Sequence, residues 1–526
     1  MRFINWRSEG VIYLFIIWKI CLVIFATLPI PSGDAFFYDG PVVNYLLTGH
    51  YCNPSLAGVL PISGNDVFCA YPPFYQLILL GWMRVGGTSA SSAVTFHTAL
   101  VVLFAVAVLL IFRRLKISAY CANIGGLFLF CLTSHDRPDT LAQLMAVTSL
   151  YFVLCDRNNL ATLFLLLTFS TSLQIGGVYL FWIGLLSLMR CLLNNKKLPV
   201  KEGALLVISI VGLVGLVKFG YPHLWAGFQE HVAVTPAVTG LRLPHMDNLL
   251  RVDRVSPGVL LSASFLVVLF LRRKLTLSDA AKHLELPTAA SGIAAALVLI
   301  VSSLVLFTPS NIHMVGYMQP IIVGCFLSAF SQSLSANTVQ KPRLTTSSLI
   351  PKTLGRLPFL YVCVYHLAAL LVASRAIGMT FWGFACASDL GYEDAVKIVR
   401  KEIDELPSGS TIVVSSPFCY ETARCSKVKL IHADWLGLTN GKVENPSCDK
   451  IVELKPAKLL LVSFDRYRRY DEVINQLFTR PEIQSITIIT TANRPPPDAY
   501  LFIRRLFQNV SWSPVIVNIV WNKQND

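Results

Sequence analysis

The 526-residue chain has few charged residues: Asp, Glu, Lys and Arg make up only 14% of it, against 54% hydrophobic residues. A mean hydropathy of +0.58 excludes an ordinary soluble globular protein. Apolar runs of about 20 residues, the length that spans a bilayer, recur until about residue 383. The sequence therefore predicts an α-helical polytopic membrane domain over residues 1–384 and a soluble domain over residues 385–526.

Several chemical signatures are missing as well. The sequence has no CxxC pair, no Cys/His cluster with zinc spacing and no DxD motif, so it indicates neither a metal site nor a cofactor. No Gly-rich phosphate loop precedes a helix of the soluble domain, which leaves nucleotide binding unsupported. No basic stretch alternates with aromatic residues, as a groove for stacked bases would require. We therefore expect no nucleic-acid partner.

The net charge of +14 belongs to the membrane domain. Residues 1–384 carry 26 Lys and Arg against 13 Asp and Glu, whereas residues 385–526 carry 18 against 17. The rule that cytosolic loops are rich in Lys and Arg explains such an excess. With the N-terminus inside, 18 basic residues fall in cytosolic loops and only about six in the opposite loops.

Hydropathy predicts about eleven transmembrane helices, and the first apolar run is too long for a cleaved signal peptide. The predicted spans are 10–30, 91–112, 118–133, 140–155, 159–174, 176–193, 203–219, 257–271, 288–307, 312–331 and 357–377. This topology places the loops 31–90 and 220–256, together with the C-terminal domain, on the outer face.

The C-terminal domain has the pattern of an α/β fold. EDAVKIVRKEIDEL has helical periodicity, and TIVVSS, KLLLVSF, SITIITT and PVIVNIVW are β-branched runs typical of buried strands. We expect an accessory domain or one that positions an acceptor.

Two cysteines of the first outer loop, Cys52 and Cys69, are candidates for a disulfide, because an outer compartment permits one. In the C-terminal domain, Cys419, Cys425 and Cys448 could supply one more, and the sequence does not say which two would pair.

The stretch GDAFFYDG places two acids, Asp34 and Asp39, at the expected membrane surface. A helix from Asp34 through Thr48 would put Asp34 and Tyr38 on one face and point Asp39 elsewhere. Asp34 could simply cap this helix, which is worth about 1 kcal/mol. The following AYPPFYQLILLGWMRVGG, which contains Tyr71, predicts another amphipathic helix lying along the membrane.

A second outer motif, SHDRPDTLAQL, packs ionisable residues into a short turn between two predicted spans: His135, Asp136, Arg137 and Asp139. Charges so close to hydrocarbon indicate a functional site. We expect Asp139, which follows Pro138, to cap the next helix in part. Capping does not explain Arg137, whose planar guanidinium suits an anionic headgroup.

Two further groups belong to the outer face. Lys218 ends a predicted span, where its ammonium must reach outward or bind a phosphate. The segment TPSNIHMVGYMQPI contributes Asn311, His313, Tyr317 and Gln319, which could equally pack helices together or contact a sugar.

Together these motifs resemble the GT-C integral-membrane glycosyltransferases of the family 39 type, which include relatives of protein mannosyltransferases and of lipid A aminoarabinose and core galacturonic acid transferases. The resemblance rests on D-x-x-x-Y-D with an L-x-x-G-x-Y tail, YPP, the R-P-D-x-L-A turn and a late Y-x-x-P, and covers roughly residues 10–330. It implies a sugar donor carried on a polyprenyl phosphate, transfer on the outer face, and a first-loop acid carried here by Asp34. The chain departs from the family in having Ala35 after Asp34 and TSLQIGG where many relatives carry a lysine.

We therefore expect a glycosyltransferase that moves a sugar from a polyprenyl-phosphate donor to a lipid, polysaccharide or protein acceptor. Asp34 or Asp39 would be catalytic and Arg137 and Lys218 would hold the phosphate, with Tyr38, Tyr71, Asp136, His313 and Tyr317 as substrate contacts. The rival is a transporter or flippase of lipid-linked saccharides, which usually shows internal repeats and polar residues near the midplane. A non-catalytic anchor for the outer domain would not need so many spans. The expected location is the bacterial inner membrane with the site facing the periplasm, an endoplasmic reticulum lumen being the alternative.

Overall fold

A computed structural model describes residues 6–31, 34–58, 60–115, 137–194, 197–234, 391–436, 438–439, 442–443, 447–462, 470–490 and 512–522. Six of the eleven predicted spans fall in these ranges, and all six are helical. They are α1 (Trp6–Ala26), α5 (Ala90–Arg114), α6 (Pro138–Leu154), α7 (Asn158–Phe169), α8 (Leu173–Asn194) and α9 (Val200–Gly215). The other five predicted spans, 118–133 and the four between 257 and 377, lie outside the described residues.

Three helical stretches of the described chain are long and apolar enough to cross a membrane: Ala90–Arg114, Leu173–Leu192 and Val200–Gly220. The last of them joins α9 to a short π-helical turn, Leu216–Gly220. Their apolar side chains need a hydrocarbon environment, so the chain is an integral membrane protein.

Helix α6 has the Arg137 motif at one end and a basic cluster at the other. Its 17 residues make it about 25 Å long. At its C-terminus, Arg114 Nε donates to the Leu154 carbonyl at 2.9 Å and Arg190 Nη1 donates to the Val153 carbonyl at 2.8 Å. The two arginines thereby satisfy carbonyls that the helix leaves without an internal partner. Arg137 lies at the opposite end, which agrees with the predicted segregation of cytosolic arginines from the outer motif.

The first outer loop contains three helices, α2 (Ala35–Thr48), α3 (Pro61–Asn65) and α4 (Phe74–Gly86). The predicted helix through Thr48 is confirmed. It ends at Gly49, whose φ of +80° is a left-handed conformation that glycine adopts at low cost. In α4, the predicted amphipathic helix, Leu77 and Val85 are exposed while Tyr75 and Leu79 are fully buried. One face of α4 is therefore apolar and outward, as a helix at a membrane surface requires.

Helix α2 contains Pro41, which has no N–H to donate to the Phe37 carbonyl one turn earlier. The buried side-chain amide of Asn53 supplies a donor instead: its Nδ2 donates to Phe37 O at 3.3 Å and to Phe36 O at 3.0 Å. Ser55 donates to the other amide atom, Asn53 Oδ1, at 2.7 Å and fixes its orientation. A Cβ at Gly40 would clash with Asn53 Nδ2, so a glycine at this position leaves room for the amide.

The C-terminal domain is α/β, as the sequence predicts. Its sheet has the order β2-β1-β5-β7-β6, with β1 parallel to β2 and β5, and β7 antiparallel to β5 and β6. The strands are β1 (Thr411–Val414), β2 (Lys429–His432), β5 (Lys458–Val462), β6 (Ile483–Thr490) and β7 (Pro514–Trp521), and β3 (Leu438–Thr439) and β4 (Lys442–Val443) form a separate antiparallel pair. The helices are α11 (Tyr392–Asp404), α12 (Ser416–Thr422), α13 (Cys448–Leu454) and α14 (Asp471–Leu477).

This domain packs directly on the first outer loop. One hydrophobic cluster runs from the membrane helices through Phe36 and Phe37 of α2 to Phe418 and Tyr420 of α12. Hydrogen bonds cross the same boundary, from Phe36 N to Ser416 Oγ at 3.1 Å. Because they touch, we expect loop 31–90 and the C-terminal domain to lie on the same side of the membrane.

The disulfide predicted between Cys52 and Cys69 is not formed, and both are buried free thiols. Their sulfurs have different neighbours: Asn44 Nδ2 lies 3.4 Å from Cys52 Sγ, whereas Cys69 Sγ lies 3.9 Å from the Tyr71 carbonyl. The three cysteines of the C-terminal domain, Cys419, Cys425 and Cys448, are free thiols too. Four of these five cysteines are buried and behave as small apolar side chains, whereas Cys425 is partly exposed.

Candidate functional site

The two outer motifs of the sequence meet in an ion pair. Arg137 Nη1 donates to Asp34 Oδ2 at 2.8 Å, across 103 positions of the chain. The Asp34 side chain is 38% exposed, whereas that of Arg137 is only 12% exposed. A second carboxylate oxygen, Asp139 Oδ2, lies 3.1 Å from Arg137 Nε on the inner side and is almost fully buried. One guanidinium thus stands between a buried acid and an accessible acid.

Helix capping does not account for either acid. Asp34 occupies the position before α2, but its side chain accepts no capping hydrogen bond and its backbone is already helical. The residue preceding α6 is Arg137, and its side chain makes no capping hydrogen bond either. Asp139, expected to cap this helix in part, lies inside the helix and not at the position before it. Asp139 lies in the first turn of α6, where a negative charge favours the helix dipole, and it pairs with Arg137.

Two tyrosines complete the surroundings of Arg137. Its Nη2 lies 3.3 Å from the Tyr38 hydroxyl, and its guanidinium carbon lies 5.6 Å from the centre of the Tyr38 ring. Tyr71 packs edge-on against Tyr38 with ring centres 5.2 Å apart. Burial raises the pKa of both tyrosines, against the opposing effect of Arg137. Both phenols are therefore protonated at neutral pH and can donate hydrogen bonds to an anion. Asp34 and Tyr38 share a face of α2, as predicted.

A residue that the sequence reasoning missed, His231, lies against this cluster. It belongs to α10 (Pro222–Val234), and its ring centre is 5.7 Å from that of Phe37 and 6.3 Å from that of Tyr71. Burial, with a further contribution from Arg137, lowers the pKa of His231 to about 4. The imidazole is therefore neutral at pH 7.

A sequence signal for His231 does exist, at a position one helical turn earlier. Gly227 shares its face of α10. A Cβ at Gly227 would lie 2.8 Å from the Val67 carbonyl, so the absent side chain lets α10 approach the first loop. The neighbouring Glu230 accepts hydrogen bonds from the backbone N–H groups of Ile62 and Ser63, both at 2.8 Å.

The structure places Asp39 apart from the Asp34–Arg137 pair. It is fully buried, and both of its oxygens accept hydrogen bonds, Oδ1 from the Tyr75 hydroxyl at 2.6 Å and Oδ2 from the Tyr420 hydroxyl at 2.7 Å. His97 Nε2 lies 3.5 Å from Asp39 Oδ2 and 2.8 Å from the Tyr75 hydroxyl. An acid bound in this way cannot meet an acceptor without first losing these partners, so the catalytic role predicted for it does not fit its surroundings.

Lys218 lies in the exposed π-helical turn after α9. Its ammonium stands over the Phe219 and Trp225 rings, 5.4 and 5.8 Å from their centres. No contact in the described part of the chain joins it to Arg137. Six residues of the predicted outer motifs lie outside the described residues: His135, Asp136, Asn311, His313, Tyr317 and Gln319. Within the described ranges, no group of three or more His, Cys, Asp or Glu side chains could hold a metal ion.

No family model and no curated protein match this chain. Solved structures do. The structure of ArnT from Cupriavidus metallidurans bound to undecaprenyl phosphate superposes with a TM-score of 0.46 at 13% identity, over 97% of this chain and 98% of that chain. The archaeal oligosaccharyltransferase AglB from Archaeoglobus fulgidus, in complex with an inhibitory peptide and a dolichol-phosphate, superposes with a TM-score of 0.41 at 10% identity, over 87% of this chain and 69% of that chain.

Proposed function

We propose that this protein is a membrane glycosyltransferase of the GT-C type that moves a sugar from a polyprenyl-phosphate donor to an acceptor on the outer face. The observation that carries the proposal is the pair of Asp34, an accessible carboxylate, and Arg137, a mostly buried guanidinium, 2.8 Å apart. Transfer to an acceptor needs these two groups side by side: a base for the acceptor and a cation for the departing phosphate.

Arg137 would bind the lipid phosphate. A guanidinium has five N–H donors in a planar fork, so one arginine can bind a carboxylate and a phosphate at the same time. Asp139 holds the inner side of Arg137 and Tyr38 supports its Nη2. These contacts keep the cation oriented before the substrate arrives. As the bond between the anomeric carbon and the phosphate oxygen breaks, negative charge grows on the phosphate, and a fixed cation stabilises it.

Asp34 would act as the base. It would take the proton from the acceptor hydroxyl or amine while the acceptor oxygen or nitrogen attacks the anomeric carbon. The electron pair of the broken bond then leaves with the polyprenyl phosphate. Protonated Tyr38 and Tyr71 would donate hydrogen bonds to the sugar or the phosphate. Asp136, His313 and Tyr317 stay proposed substrate contacts, and Lys218 an outer contact for the headgroup.

Transfer from a panel of radiolabelled polyprenyl-phosphate sugars tests this function. Purified wild type and Asp34→Asn are each supplied with a membrane extract that contains acceptors. We expect turnover in the wild type, a loss of at least about 100-fold in Asp34→Asn, and unchanged binding of polyprenyl phosphate in both. Equal turnover in the two proteins would remove Asp34 from the role of base.

The matched control is Asp66→Asn, which changes an exposed acid of the same loop. It should transfer sugar at the wild-type rate. If the wild type transfers no sugar but moves labelled lipid across liposomes, the glycosyltransferase proposal is wrong.

A further inference from the structure

We propose that Asp39 is a positioning residue, which locks the C-terminal domain to the two segments that carry the site. The inference rests on the function proposed above. It assigns the second acid of GDAFFYDG a role outside the chemical step. It also gives the C-terminal domain a role in positioning the site, whereas the sequence predicts an accessory or acceptor-positioning domain.

The Asp39 carboxylate joins three parts of the chain. It lies on α2, it accepts one hydrogen bond from Tyr75 of α4, and it accepts the other from Tyr420 of α12 in the C-terminal domain. His97 of α5 lies behind it, 2.8 Å from the Tyr75 hydroxyl. All four side chains are at most 4% exposed. We call these four residues the Asp39 clamp.

Two of the segments that enter the clamp, α2 and the segment leading into α4, also carry residues of the site. Helix α2 starts beside Asp34 and presents Tyr38 to Arg137, one residue before Asp39. The segment leading into α4 presents Tyr71 to Tyr38, four residues before Tyr75. The clamp therefore fixes how these two segments are rotated relative to each other. That rotation sets where Asp34 and the two tyrosines stand around Arg137.

The C-terminal domain supplies the third support. Ser416 Oγ accepts a hydrogen bond from the Phe36 backbone at 3.1 Å, and the Tyr420 ring packs edge-on against Phe36 at 4.9 Å. Trp435 stacks on Phe37 with ring centres 4.2 Å apart. Helix α2 is thus held on one side by membrane-domain residues and on the other by α12. A buried carboxylate that lost one of its hydrogen bonds would destabilise this arrangement.

The test uses Tyr420→Phe in the full-length protein, which removes one hydroxyl and keeps the ring against Phe36. Tyr45→Phe is the matched control, because Tyr45 is an exposed tyrosine of α2, the helix that the Tyr420 hydroxyl holds. Binding of polyprenyl phosphate is measured as sites per chain and as Kd, and turnover is measured with the active donor. Amide hydrogen exchange of residues 35–43 reports the order of α2.

We expect Tyr420→Phe to bind polyprenyl phosphate at the wild-type stoichiometry and with Kd within about twofold, while kcat falls about 10-fold or more. Exchange of residues 35–43 should accelerate in Tyr420→Phe and stay unchanged in Tyr45→Phe. A protein that is merely unstable would instead lose binding sites and activity in proportion. Asp39→Asn, which keeps the size of the side chain, should show the same separation of kcat from binding.

Two results would overturn the inference. Unchanged exchange in Tyr420→Phe would show that the hydroxyl does not hold α2, and faster exchange with unchanged kcat would show that the clamp does not position the site. If the wild type transfers no sugar from any donor, it is the proposed function that fails. The exchange measurement still decides in that case whether the clamp docks the domain.

Discussion

At the scale of single residues, the site is organised around one arginine with two unlike acids. Asp139 is buried and Asp34 is accessible, although both lie within 3.1 Å of the same guanidinium. Burying the inner acid is tolerable only because a cation pairs with it, and the same cation then stays fixed for a substrate. A lysine could not hold both acids and a phosphate, because its ammonium is a point charge without a planar fork.

Replacing Arg137 by lysine should therefore weaken the binding of polyprenyl phosphate by about 10-fold or more, the cost of losing one hydrogen bond to a charged group. Lys218→Ala should cost less than about threefold, because Lys218 is exposed and its charge is screened. Equilibrium binding of the radiolabelled lipid phosphate measures both, and melting temperatures confirm that each variant is folded. A larger loss in Lys218→Ala than in Arg137→Lys would contradict the assignment of the phosphate to Arg137.

His231 makes the stability of the protein depend on pH. Its folded pKa of about 4 lies below the ordinary value of 6.5, so between these values the unfolded chain binds more protons than the folded one. The stability that comes from keeping the imidazole neutral is fully present above pH 6.5. It is lost as the pH falls towards 4, and the loss amounts to about 3 kcal/mol.

Wild type should therefore melt at a lower temperature at pH 5 than at pH 7, and His231→Gln should lose less over the same interval. Thermal unfolding of the detergent-solubilised protein, followed at several pH values, measures the difference. His223→Gln is the matched control, because His223 is an exposed histidine of the same helix. Equal pH dependence in wild type and His231→Gln would contradict the assignment.

At the scale of elements, α2 shows what the sequence could and could not predict. The helix predicted from Asp34 through Thr48 is found as α2, and its geometry puts Asp34 and Tyr38 on one face. The role of Asp39 could not be predicted, because Tyr420 lies 381 positions away and only the folded domain brings it near. The same holds for His231 and for the Asp34–Arg137 pair. Local patterns determine elements, whereas long-range packing determines which charges meet.

Pro41 in α2 allows a test of whether the Asn53 side chain replaces a missing helical hydrogen bond. Asn53 Nδ2 donates to the Phe37 carbonyl, which Pro41 leaves without its helical donor. Asn53→Ala should destabilise the protein by about 1–3 kcal/mol, because it leaves buried carbonyls unpaired. In a Pro41→Ala background the restored N–H can serve Phe37, so the same substitution should cost about 1 kcal/mol less.

Thermal unfolding of the four proteins of this double-mutant cycle gives the coupling between the two positions. Additive losses within about 0.3 kcal/mol would mean that Asn53 does not replace the missing helical hydrogen bond.

At the scale of the whole molecule, the C-terminal domain and the membrane domain share one hydrophobic core. Their boundary is also crossed by polar contacts, including Arg424 to Thr88 at 3.1 Å and Trp512 to the Thr27 carbonyl at 3.2 Å. An attached but independent domain would not need contacts at several places along the first loop. The extent of this interface is what makes a positioning role for the C-terminal domain reasonable.

The same interface fixes a topology that can be measured. Because the C-terminal domain touches α2, the exposed Asn65 of the first loop and the exposed Lys397 of α11 must lie on one side of the membrane. The exposed Lys197, between α8 and α9, lies on the predicted cytosolic side.

Single variants Asn65→Cys, Lys397→Cys and Lys197→Cys are treated in intact cells with a membrane-impermeant maleimide, and the wild type gives the background from native thiols. We expect the first two to label directly and Lys197→Cys to label only after permeabilisation. Opposite behaviour of Asn65→Cys and Lys397→Cys would refute the docking of the domain. Labelling of Lys197→Cys alone would keep the docking and reverse the orientation, which would place the Asp34–Arg137 pair on the cytosolic side.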